Sequence, residues 1–110
     1  QKRDFLFVDD LMNEIIKNFK NNKVIGEIFN IGYGKPLRVK TVINKIKNII
    51  KSGYPNYNKI PFRKDEQLIL YPNIKKSEKI LNWKPKTKFL IGIKKTIKYY
   101  QKSWKEISTI

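Results

Sequence analysis

The 110 residues predict an α+β fold of short strands and about four helices. Apolar residues recur at helical spacing in several windows, and brief runs of β-formers sit between turns rich in Gly and Asn. No internal repeat, Ser/Gly-rich linker or low-complexity tract divides the chain, so residues 1–110 read as one unit. At 40% hydrophobic, a chain of this size can bury a core, with a less favourable surface-to-volume ratio than a larger domain.

Asp4 to Val8 is a short, partly aromatic run that fits a strand. Asp9 or Asp10 then stands where a helix cap belongs, ahead of Leu11, Ile15, Ile16 and Phe19 at helical spacing. This helix is expected to stop near Asn21 and Asn22. Glu27 to Ile31 reads as a second strand, and Gly32-Tyr33-Gly34 as a turn where a side chain would clash. A helix from about Val39 to Lys51 puts Val42, Ile43, Ile46, Ile49 and Ile50 on one stripe, as on the surface of a larger body.

Ser52 to Pro61, with Gly53 and Pro55, is a loop, and extended pieces are expected around Ile60 to Arg63 and Gln67 to Tyr71. Asn73 opens a short helix bearing Ile74, Ile80 and Leu81, and Asn82 falls where the helix end needs a left-handed residue. The last helix, about Leu90 to Lys105, aligns Leu90, Ile93, Ile97, Tyr100 and Trp104.

Composition excludes several chemistries. Without Cys there is no disulfide or thiolate metal site, and without His the commonest metal ligand and general base is absent, so zinc enzymes and His-dependent hydrolases drop out. No apolar run is long enough to span a bilayer and Gln1 does not begin a signal peptide, so a cytoplasmic location is the default expectation. The start at Gln1, without Met and directly ahead of a strand and helix, reads as the later part of something longer.

A net charge of +16 raises nucleic acid as a partner, and a small basic nucleic-acid-binding module is the alternative reading. Tyr54, Tyr57, Tyr71, Trp83, Tyr99, Tyr100 and Trp104 could then stack on bases, although core and interface packing is their more usual use. Lysines, however, are spread evenly from Lys2 to Lys105 in a chain with no Ala and much Ile and Asn, a bias that an AT-rich genome writes at unconstrained positions. They read as a solvated surface.

Among 25 basic residues only Arg3, Arg38 and Arg63 are arginines. A planar guanidinium binds two phosphate oxygens at once, which Lys cannot copy, so Arg3 and Arg63 are candidates for a diphosphate, with Arg38 assigned to a surface ion pair. Asp9 and Asp10 read as helix caps and not as a carboxylate pair for acid–base work. Gly32-Tyr33-Gly34 lacks the third glycine of a dinucleotide fingerprint.

In order, Arg3-Asp4-Phe5, Val8-Asp9-Asp10, Asn30-Ile31-Gly32, Arg63 with Glu66, and Leu81-Asn82-Trp83-Lys84-Pro85 resemble the C-terminal part of the NAD-dependent epimerase/dehydratase family, the extended short-chain dehydrogenases that modify nucleotide sugars. Asn82 replaces the usual Gly and Asn73 the usual Asp. The resemblance implies the substrate-binding portion of a Rossmann-type α/β enzyme. In it Arg3 and Arg63 hold the diphosphate of a nucleotide-sugar substrate and Glu66, with Asp65 as a nearby substitute, reaches a ribose hydroxyl.

The resemblance also places upstream the glycine-rich loop for NAD or NADP and the catalytic Tyr-x-x-x-Lys pair, and the chain is read as containing neither. Residues 1–110 are thus expected to be a fragment without its N-terminal NAD-binding domain, inactive alone, with no catalytic, cofactor-binding or metal residue of its own. In the intact enzyme a homodimer serving surface polysaccharide synthesis is expected, with no membrane or nucleic-acid partner. The strand Glu27 to Ile31 would belong to a larger sheet and leave an exposed edge.

Overall fold

A computed structural model describes residues 1–108. In chain order its elements are β1 (Lys2–Arg3), α1 (Val8–Asn18), a 3-10 turn (Asn22–Val24), β2 (Leu37–Arg38), α2 (Val39–Ile50), β3 (Ile69–Leu70), α3 (Lys75–Leu81) and α4 (Phe89–Ser108). The fold is α+β, with four α-helices and one small sheet among the described residues. Sheet order is β2-β1-β3: Lys2 pairs with Arg38 antiparallel and with Ile69 in parallel.

The first strand lies earlier than the sequence suggests. Residues 4–7 are irregular because Asp4 turns its carboxylate onto the glycine turn, accepting from the amides of Tyr33 (2.8 Å) and Gly34 (2.7 Å). Glu27 to Ile31 forms no strand. Its backbone is held by side chains instead: Lys76 Nζ donates to the Ile28 carbonyl at 2.9 Å and the Ser77 hydroxyl to that of Asn30. Gly32 is buried, and a Cβ there would meet Pro72 Cγ at 2.5 Å, so the turn admits only glycine without a shift.

Neither Asp9 nor Asp10 caps α1. Phe7 occupies the cap position without a side-chain bond, and both aspartates lie inside the first turn. Asp10 is buried and reaches across the fold, accepting from the amides of Lys86 (2.9 Å) and Thr87 (2.8 Å) and from the Thr87 hydroxyl (2.8 Å). It thereby fixes the approach to α4, whose Gly92 lets the Phe7 ring come to 3.2 Å from where a Cβ would stand.

Helix α1 turns its acidic face inward. Asp10 and Glu14 are its buried residues, while Val8, Met12, Ile15, Ile16 and Phe19 are exposed. Helix α2 matches its expected span, and Lys51 closes it in the left-handed region at φ 61°. In α3, Asn73 precedes the cap residue Ile74 and accepts from the Lys75 amide at 3.0 Å. Asn82 takes the expected left-handed conformation, φ 53°, a position that Asn tolerates better than branched residues.

Apolar burial is sparse: Val42, Leu81 and Trp83 are the buried hydrophobic residues among those described. Trp83 also donates its Nε1–H to the Gly32 carbonyl at 2.8 Å. Every buried side-chain polar atom among the described residues has a partner, which avoids the desolvation cost of an unmet donor or acceptor.

Two stability predictions follow from these bonds. Asp10→Ala strands two part-buried amides and is expected to lower the unfolding free energy by about 1–2 kcal/mol. Trp83→Phe, which keeps most of the ring volume but removes the donor, is expected to cost about 1 kcal/mol. Urea denaturation measures both, and unchanged midpoints would remove these contacts from the account of the fold.

Candidate functional site

Two of the three predicted site residues are more than sixty positions apart in the chain and meet through the sheet. Parallel pairing of β1 with β3 draws the segment before β3 alongside Arg3. Arg3 Nη1 donates to the carbonyls of Lys2 (2.8 Å) and Leu68 (3.3 Å), and Nη2 to that of Gln67 (2.7 Å). Nη2 also stands 3.9 Å from Glu66 Oε1. The Arg3 fork therefore straps the loop end to the sheet.

Glu66 is the hub of this cluster. Its Oε1 accepts from the Gln1 side chain at 2.9 Å and its Oε2 from the Arg63 amide at 3.2 Å. Arg63 lies in the same short turn, closed by a bond from the Glu66 amide to its own carbonyl, and its side chain is exposed. Asp65 is exposed beside it. The Glu66 carboxyl is held below its ordinary value of 4.5, first by the Arg63 amide, then by the Gln1 amide group, with smaller help from the Arg63 and Arg3 charges against a small desolvation penalty.

Beside this cluster opens a cleft of about 470 Å³, lined by Gln1, Lys2, Arg38, Lys40, Tyr57 and Phe62 among others. Arg38, assigned from the sequence to a surface ion pair, is exposed and borders this cleft on β2. The signal that could have found it is its rarity as an arginine in a lysine-rich chain. Lys40 Nζ sits 5.0 Å from the Tyr57 ring centroid, and the Tyr57 hydroxyl donates to Asn44 at 2.7 Å, which fixes the loop over α2.

The seven aromatic residues do not form one platform. Trp83 is buried, Tyr54 is exposed over Lys47, and Tyr99 packs edge-on against Tyr100 on α4. The amides of Tyr33 and Gly34 are taken by Asp4, so the glycine turn offers no phosphate cradle. Contrary to the reading that no such pair is present, Tyr71 and Lys75 do have Tyr-x-x-x-Lys spacing. Pro72 and Asn73 lie between them ahead of α3, so the two do not share a helical face.

No protein-family model matches the chain. It is 30% identical to a UDP-glucuronate 4-epimerase of Thermodesulfobacterium geofontis, over all of this chain and 33% of that protein. It is 33% identical to the dTDP-D-glucose 4,6-dehydratase of Homo sapiens over 97% of this chain and 33% of that protein. Identity to the bifunctional polymyxin resistance protein ArnA of Wigglesworthia glossinidia brevipalpis is 38%, over 91% of this chain and 18% of that protein. The chain matches the C-terminal portion of these relatives, which supports the NAD-dependent epimerase/dehydratase family that its ordered motifs resemble. It spans a third or less of the length of these relatives.

The Glu66 hub makes a pH prediction. A carboxyl with a depressed folded-state pKa contributes stability that is complete above its unfolded value and is lost as pH falls through the lower folded value. The Arg63 amide is therefore expected to lose its protection below pH 4.5, in step with the Glu66 carboxyl. Nuclear magnetic resonance titration follows both groups, and Glu66→Gln should abolish the step. An Arg63 amide that ignores the Glu66 titration would sink this account.

Proposed function

We propose that this chain supplies the nucleotide-sugar-binding portion of an NAD-dependent epimerase or dehydratase. The observation that carries the reading is the gathering of Arg3, Glu66 and the Arg63 turn at one end of the sheet, beside a cleft with further cationic and aromatic residues. Curated relatives named as acting on nucleotide sugars support it.

In this reading Arg63 presents an exposed fork to the diphosphate. Arg3 adds its charge and exchanges its Gln67 and Glu66 partners for phosphate oxygens, since hydrogen bonds between ions are roughly twice as strong as neutral ones. Glu66, released from Arg3, takes a ribose hydroxyl. Fixing the nucleotide in this way positions the distant sugar, so remote binding energy serves the reaction.

NAD or NADP, when bound, would accept hydride from the sugar. The residues of this chain do not fit it, because the only glycine turn with dinucleotide-like spacing has its amides engaged by Asp4. Cofactor binding and the catalytic Tyr and Lys are therefore assigned to the N-terminal part of the enzyme. The uncovered apolar stripe of α1, together with Ile25 and Ile28 beyond the following 3-10 turn, each more than 70% exposed, is assigned to packing against that part.

The test uses the full-length protein. Arg63→Ala is expected to raise KM for a nucleoside diphosphate sugar by about tenfold or more with a smaller change in kcat, and Arg63→Lys to recover only part of the loss. The same protein is titrated with random DNA across a salt series. Salt-steep DNA binding that survives Arg3→Ala and Arg63→Ala, without nucleotide-sugar binding, would overturn the proposal in favour of a nucleic-acid module.

A further inference from the structure

We infer that Gln1 is a positioning residue for ribose recognition, its side-chain amide holding one oxygen of Glu66 so that the carboxylate keeps its aim when Arg3 leaves it for phosphate. This rests on the assignment of Glu66 to the ribose. Gln1 Nε2 donates to Glu66 Oε1 at 2.9 Å, and the Arg63 amide donates to Oε2 at 3.2 Å. One donor thus holds each oxygen, while Arg3 Nη2, 3.9 Å from Oε1, adds charge without a hydrogen bond. An ionised carboxylate only accepts, so the Gln1 amide must turn its nitrogen toward it. Filling one lone-pair position on each oxygen leaves about two for the vicinal hydroxyls of a ribose.

The two donors differ in what anchors them. The Arg63 amide belongs to the same turn as Glu66 and moves with it. Gln1 is anchored in the sheet: its carbonyl accepts from the Val39 amide at 2.9 Å, and the next residue, Lys2, pairs with Arg38 on one side and with Ile69 on the other. Among the described residues the Glu66 carboxylate is tied to the sheet by Gln1 and Arg3, and Arg3 is the one that phosphate recruits. A neutral amide gains less from phosphate than a guanidinium does, so Gln1 stays on Glu66 through the exchange. Only 21% of the Glu66 side chain is exposed, which limits competition from water. Gln1 also holds the Glu66 carboxyl low more strongly than the Arg3 charge does, and it lines the neighbouring cleft, where a bound nucleotide would pass its amide.

The test uses Gln1→Met in the full-length protein, which keeps the side-chain length and leaves the ladder intact, because the bonds there are made by the backbone. Calorimetry compares the tightest-binding of the uridine, cytidine, adenosine and guanosine diphosphates with its 2′,3′-dideoxy analogue. Gln1→Met is expected to weaken the ribose ligand by about tenfold and the dideoxy ligand by less than about twofold, since only the first uses Glu66. Added to Glu66→Gln, it should weaken binding no further. Without ligand, nuclear magnetic resonance should show the Glu66 titration of Gln1→Met moved up toward 4.5. Equal weakening of both ligands, additive losses in the double variant, or an unmoved Glu66 titration would overturn the inference and leave diphosphate binding by Arg63 standing. Equal binding of the two ligands by the unsubstituted protein would overturn the ribose role of Glu66 and this inference with it, and binding of neither would overturn the nucleotide-sugar reading as a whole.

Discussion

The buried hydrogen bond from the Trp83 indole to the Gly32 carbonyl is the joint on which the described residues close. Gly32 begins the turn whose next two amides bind Asp4, just after β1, and Trp83 precedes the residues that bind Asp10 of α1. Side chain-to-backbone bonds thus link β1, the glycine turn, the end of α3, the entry to α4 and α1 in one circuit. With few apolar side chains fully buried, non-directional burial alone would leave the mutual placement of these elements loosely specified. Directional bonds in a partly dry interior supply that specification, and each leaves a costly unmet group if its partner is removed.

The same economy appears at the site. Arg3 serves the sheet through three carbonyls while its charge faces Glu66, and Glu66 in turn joins Gln1 to the Arg63 turn. A guanidinium has enough donors in one plane to do both, whereas an ammonium at position 3 would offer a point charge without the fork. Structural strap and anion-binding group are therefore compatible in one side chain, because carbonyl partners are weaker than phosphate ones and can be exchanged.

The uncovered apolar surface includes two separate helical faces among the described residues. The α1 stripe lies on a helix whose Asp10 and Glu14 face inward, an inversion that makes sense where the apolar side meets another body of protein. This agrees with a chain that spans a third or less of its relatives' length. The α2–α4 seam is separate and is made by two helices that pack on one another.

The sequence by itself determined the helices and the ends that depend on local chemistry. The stripe of α2, the left-handed Asn82 and the glycine turn were legible because each rests on spacing or on backbone sterics within a few residues. The ordered motifs were likewise legible as a family resemblance. Only the tertiary structure decided what Asp4, Asp10 and Arg38 face, and that Glu27 to Ile31 stays out of the sheet. Aspartate before an apolar stripe looks the same whether it caps its own helix or binds an amide more than seventy residues away, and a strand pattern finds no ladder without a neighbour. Those outcomes depend on which distant backbone groups arrive within hydrogen-bonding distance, a matter of chain path that local spacing does not encode.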